Sequence, residues 1–168
     1  LIESIFVKSV IKNVNFENAA LTEVDLHETL IEYSDFTDSD LMSGNVIGST
    51  FNTCDLTRTM FYNANLSNCK FINCILKKAK FSGANLENCD LSKQDFRGAS
   101  FICTKLEGAD LSYSNFADAE FIKIDLTKTK LDNAIFKNIK IKNVKIFAKD
   151  VDRLNLSEEQ RKELTIVG

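Results

Sequence analysis

Few residues in this chain carry side chains suited to catalysis or metal binding, and their spacing assembles none of the usual sets. His27 is the only histidine. A structural or catalytic zinc site draws on about three or four His, Cys or carboxylate ligands, usually with close pairs along the chain. The five cysteines (Cys54, Cys69, Cys74, Cys89 and Cys103) contain no C-x-x-C pair. No glycine-rich phosphate loop occurs, and no G-x-S-x-G nucleophile turn. Aspartates are plentiful, but they recur in step with a short repeat, which points to local backbone hydrogen bonding and solvation. The expectation is a chain with no catalytic residues, no metal site and no bound cofactor.

The elements that carry these residues follow from a spacing of five. Stepping from Phe6 by fives to Leu156, every stop is Phe, Leu, Ile or Val; of the 13 phenylalanines only Phe147 lies off this grid. Two residues before each stop the side chain is mostly small, as in Ser34, Cys54, Ala64, Cys69, Cys74, Ala84, Cys89, Ala99 and Ala109. The residue just before the stop is often Asp or Asn, as in Asp25, Asp35, Asp40, Asn65 and Asp110. Neither the helical period of 3.6 nor the strand period of 2 yields a spacing of five. A solenoid does, because a small and a large residue two apart point to the same side of an extended segment. The stretches ANLSN (64–68), ANLEN (84–88), ADLSY (109–113) and SNFAD (114–118) closely resemble the pentapeptide-repeat family. That resemblance covers about residues 4–156. It implies an all-β fold, a right-handed quadrilateral β-helix with one five-residue unit per side and 20 residues per turn.

With that register, four core columns form, and successive coils lie about 4.8 Å apart, the strand-pairing distance. The repeat occupies 1–156. Ser157, followed by Gln160, makes a capping box and predicts a short C-terminal helix over about 158–164. The segment 157–168 then caps the last coil or joins two chains in a homodimer, with Leu164, Ile166 and Val167 available for either. At the other end Ile2, Ile5, Val7 and Val10 lie off the grid and suggest a buried or partnered first coil. Gln94 and Lys149 break the small-residue rule; an amide as large as Gln94 must displace its corner or find buried partners. Cys54 and Cys74, and likewise Cys69 and Cys89, fall one coil apart, close enough for a disulfide by Cα separation. The reading taken is that they are small apolar fillers. Cys103 faces outward.

Net charge is −3, spread as −7 over residues 1–60, zero over 61–120 and +4 over 121–168. No apolar run reaches the length that spans a membrane, and the start has no signal-peptide pattern. Free thiols without a leader point to a reducing, cytoplasmic compartment. The first residue is Leu, as expected of an excerpt or a processed form.

Function must therefore lie in surfaces. On one side the outward positions stack as Met42, Tyr62, Ser82, Ile102 and Ile122, with Met60 beside Tyr62. This stripe suits a contact with another protein. The resemblance implies an alternative: some family members, notably those of the quinolone-resistance type, resemble duplex DNA and bind type II topoisomerases. An acidic patch of Asp35, Asp38, Asp40 and Asp55 fits that idea in part. The basic residues Lys77, Lys78, Arg97 and Lys137 and the low net charge oppose it. Direct nucleic-acid binding through Lys123, Lys128, Lys130, Lys137, Lys140, Lys142 and Lys145 is disfavoured, because the other half is acidic and no aromatics interleave the lysines.

Overall fold

The computed structural model describes all of residues 1–168. The chain winds as a parallel β-solenoid of about 8 turns. Backbone partners lie one coil apart throughout, from Ile5 on Asp25 to Asp125 on Lys145. Every stop of the grid from Ile11 to Ile146 is buried, in one continuous core. Phenylalanines stack up the axis: Phe61, Phe81, Phe101 and Phe121 follow one another with ring centroids 5.0–5.2 Å apart.

Corners explain the rest of the repeat. The residue two after the stop adopts a left-handed conformation at every regular corner except Lys128, with φ between 50° and 62° at the other non-glycine corners from Glu3 to Asn143. For an L-residue this costs about 1–2 kcal/mol. Two sets of hydrogen bonds offset it. Corner N–H groups donate to the next coil, as Lys8 does to His27 at 3.0 Å. The Asp or Asn before the stop accepts the N–H two residues on: Asp35 from Thr37 at 2.8 Å, Asp55 from Thr57 at 2.9 Å and Asn85 from Glu87 at 2.9 Å. The acidic and amide residues of the repeat are therefore turn-formers first.

Short strands appear where corners open. β1 (Val10–Lys12), β2 (Leu30–Glu32), β3 (Thr50–Asn52) and β4 (Lys70–Ile72) stack on one side of the solenoid. β5 (Ser100–Ile102), β6 (Glu120–Ile122) and β7 (Lys140–Lys142) stack on another. At ordinary corners the small residue's N–H returns to the core carbonyl three back, as Val24 does to Leu21 at 3.1 Å. At open corners a side chain of the following coil takes it instead: Val14 donates to Ser34 Oγ at 3.1 Å and Cys74 to Gln94 Oε1 at 2.8 Å. Gln94 lies between the two strand stacks. Its Nε2 also donates to the Ser92 carbonyl at 2.5 Å, so one amide serves both backbone groups where the geometry changes sides. Gln94→Ala is expected to cost about 2–4 kcal/mol, because a buried N–H and a carbonyl lose their partners. Urea denaturation checks this, with Ser92→Ala as the nearby control; equal midpoints would refute the bridging role.

The small positions are not merely apolar filler. Thr29, Ser49, Thr59, Thr104 and Ser114 each donate a hydroxyl to the core carbonyl 23 residues earlier. The thiols do likewise, Cys69 to Val46 at 2.9 Å and Cys89 to Leu66 at 2.8 Å. Those cysteines fill the small inward slot as expected and add a hydrogen bond there: a short donor at the inner corner ties adjacent coils together. All five cysteines are free thiols, and only Cys103 is exposed.

The two ends differ from expectation. The regular corners stop at Phe147, where β8 (Val144–Phe147) ends, and a 3-10 helix runs over Ala148–Leu154. Val151 and Leu156 keep the grid spacing and stay buried, but the coil boundary falls before them and not at 156. Lys149 is exposed on this helix, so its departure from the small-residue rule needs no corner. The capping box is present, with Ser157 Oγ accepting Gln160 N at 3.2 Å. The helix α1 is shorter than the expected 158–164, covering Glu158–Arg161. Leu164–Val167 forms β9 and pairs with β8 in parallel, still 20 residues on. The first coil is not buried: Ile2, Ile5 and Val10 are 61%, 75% and 68% exposed. No helix is long and apolar enough to cross a membrane.

Candidate protein-contact face

The side that carries β5, β6 and β7 also carries the apolar stripe. Parallel pairing sets Ile102 beside Ile122, and Met60 between Asp40 and Lys80. Residues at the two positions flanking each stop of this column point outward, because the stop itself (Leu41, Phe61, Phe81, Phe101, Phe121) is buried. Met42 is 36% exposed, and Met60, Tyr62, Ile102 and Ile122 are half-buried. All five residues expected to contact a partner thus share one face. Ser82 interrupts the stripe, leaving a small-residue notch between Tyr62 and Ile102, with Gly83 at its corner. The Lys80 ammonium lies 6.0 Å from the Tyr62 ring centroid, a cation–π distance that steadies the ring.

The four acidic residues do not form one site. Asp35 and Asp55 are bridge partners on the neighbouring side. Asp40 lies on the apolar face, accepting from Met42 N at 2.9 Å and Thr22 Oγ1 at 3.3 Å. Asp38 sits at the corner between the two sides and is taken up by Arg58, with Nε–Oδ1 at 2.7 Å and Nη2–Oδ2 at 2.5 Å. That bidentate hydrogen bond holds the Asp38 carboxyl below its usual range. The same pairing across one coil recurs in Lys8–Glu28, Lys12–Glu32, Lys130–Asp110, Lys140–Glu120 and Lys145–Asp125. Opposite charges 20 residues apart were the signal for these pairs, and the charge count by thirds of the chain does not reveal them. Two members of the basic stripe are compensated too, since Lys77 and Arg97 both reach Asp95, at 3.6 and 2.7 Å.

His27 Nδ1 lies 2.7 Å from Asp25 Oδ1, which also accepts Asn45 Nδ2 at 3.1 Å, so the imidazole belongs to a turn. Burial pushes the Cys69 thiol well above its ordinary range, away from the reactive thiolate. No three His, Cys, Asp or Glu side chains are placed to hold a metal ion. A groove of about 490 Å³ holds Cys103, Lys105, Lys123 and Thr127. It is crossed by the Lys128–Glu107 and Lys145–Asp125 ion pairs.

Among solved structures the chain resembles trypsin-treated QnrB1, a plasmid-mediated fluoroquinolone resistance protein. The identity is 17% and the TM-score 0.50, over 100% of this chain and 89% of that one. It also matches Rfr23, a pentapeptide repeat protein from the cyanobacterium Cyanothece 51142, at 21% identity and TM-score 0.38, over 85% of this chain and 91% of that one. HetL, a pentapeptide repeat protein involved in heterocyst differentiation regulation in Nostoc, matches at 21% identity and TM-score 0.26, over 84% and 89%. These likenesses concern the fold alone. No curated protein sequence matches the chain. The family described as Pentapeptide repeats matches in 8 copies over residues 9–45, 45–77, 74–112 and 109–145. With that match over most of its length, on a solenoid whose corners and core obey the repeat, the chain belongs to the pentapeptide-repeat family.

Proposed function

We propose that this protein is a non-enzymatic binding scaffold whose contact face for another protein is the side bearing Met42, Met60, Tyr62, Ile102 and Ile122. The observation that carries the reading is the alignment of these residues on one face of a rigid stack, where the repeat itself asks only for polar or small residues. A flat, pre-formed face loses little entropy on binding, and Tyr is a strong anchor because it presents a large amphipathic surface with few rotatable bonds.

The DNA-mimic alternative, with a type II topoisomerase as partner, rests on the stacked Asp35 and Asp55. It is weakened by Arg58, which neutralises Asp38, and by the absence of a continuous acidic line on either side.

The two readings separate by salt and by substitution. In a pull-down on the full chain, Tyr62→Lys is expected to remove at least nine-tenths of the partner, with binding nearly independent of salt and an unchanged melting curve. Reversing Asp35 and Asp55 to Lys should leave retention intact. The opposite pattern, loss on reversing the aspartates together with steep weakening by salt, would favour the mimic and overturn the face.

A further inference from the structure

We propose that this face pairs with the same face of a second copy, with the two solenoids antiparallel about a twofold axis lying between the coils of Ser82 and Ile102. The inference rests on the reading of this side as a contact face and names its occupant. A twofold axis in the interface, perpendicular to the stacking direction, keeps every column opposite itself and reverses its order. Such an arrangement closes and is self-complementary. With the axis at this height Ser82 faces Ile102, so each notch receives the partner copy's isoleucine. Tyr62 faces Ile122, and Met42 lies along the aliphatic stem of Lys142.

Charge and apolar contact together select this register among its neighbours. Asp40 has no cation in its own chain and here meets Lys140; Asp118, an exposed corner residue also without one, meets Arg58. No two like charges face each other anywhere along the face. Moving the axis half a step, into the coil of Ser82, sets Lys80 against Lys80 and Asp40 against Glu120. Moving it half a step further in the same direction sets Arg58 against Lys78. Moving it the other way, into the coil of Ile102, puts Tyr62 against Lys142 and carries Met42 past the last regular coil. Like charges directly opposed are destabilising, which penalises both shifts toward Met42; the shift into the coil of Ile102 opposes no like charges, but it seats Tyr62 on Lys142 and leaves Met42 outside the contact.

The face is three residues wide, so the dimer belongs to the weak, transient class. Sedimentation velocity over a concentration series tests it on the full chain. The unmodified chain should show a reversible monomer–dimer equilibrium. Asp40→Lys and Lys140→Asp each oppose two like pairs across the interface and should weaken it at least tenfold. An equimolar mixture of the two variants restores both pairs with opposite charges, so it should dimerise as the unmodified chain does. Asp40→Lys also removes the acceptor of the Met42 N–H and Lys140→Asp the partner of Glu120 in the same chain, so matched thermal melts are used to confirm that both fold. Failure of the mixture to recover, or an unmodified chain that stays monomeric at its solubility limit, overturns the pairing. A dimer kept in Asp40→Lys but lost in Ile166→Lys also overturns it and assigns the contact to the edge of β9. A monomeric chain whose pull-down still depends on Tyr62 would end the self-pairing and leave the contact face standing. A monomeric chain with no Tyr62-dependent partner would end both.

Discussion

Replacing Phe81 by alanine is expected to lower stability by about 3–5 kcal/mol, the usual cost of truncating a buried aromatic. The ring is wholly buried. It stacks on Phe61 at 5.2 Å and on Phe101 at 5.1 Å, with interplanar angles of 4° and 14°, and meets the edge of Phe96 at 6.1 Å. Alanine leaves a gap that neither neighbouring coil can close, because each is held in register by its own backbone bonds. The adjacent Ser82 points outward, and Ser82→Ala should shift the midpoint hardly at all. Urea unfolding of the two variants side by side is the measurement. Coincident midpoints would show that the inward and outward positions have been assigned wrongly.

Deletion of residues 157–168 is expected to be nearly as damaging, through aggregation. The deletion removes β9, the strand that covers β8 on its outer side, and exposes that edge of Val144–Phe147. It also removes Gln160, whose Nε2 donates to the Ile139 carbonyl at 2.6 Å and anchors the cap to the coil beneath. Buried Val151, Leu154 and Leu156 would then face solvent along one side. An uncovered parallel edge beside apolar side chains is a template for further strands. Sedimentation should show large species, and the melting temperature should fall by several degrees. A truncated chain with unchanged mass and melting would mean that the cap contributes nothing.

The residue pattern disclosed the body of the fold and very little of its ends. Each coil repeats the same local rule, so Phe61 or Leu86 can be placed without knowing anything distant. The final turn obeys a different rule. Val151 and Leu156 keep their spacing of five, yet the backbone between them is 3-10 helical, and spacing alone does not distinguish the two conformations. The apolar Ile5 and Val10 suggested a buried or partnered first coil, but each sits just before a stop, at an outward position, and lies exposed. Gln94 was recognisable as an exception, while its role as a bridge depended on where the strands change sides. For the contact face, the column was legible because outward residues stack every 20 positions. The weakness of the acidic patch was not, since it depends on Arg58 reaching across a corner to Asp38.

Uniform stacking also makes the molecule a ruler. Any two surface features on the same side stand apart by a whole number of coils, about 4.8 Å each. Removing or duplicating 20 residues within the regular region would change that separation by one graduation and leave the cross-section, the corners and the cap as they are. Distance along this protein is thus adjustable in discrete units, and a partner that grips it at two points reads a count of repeats.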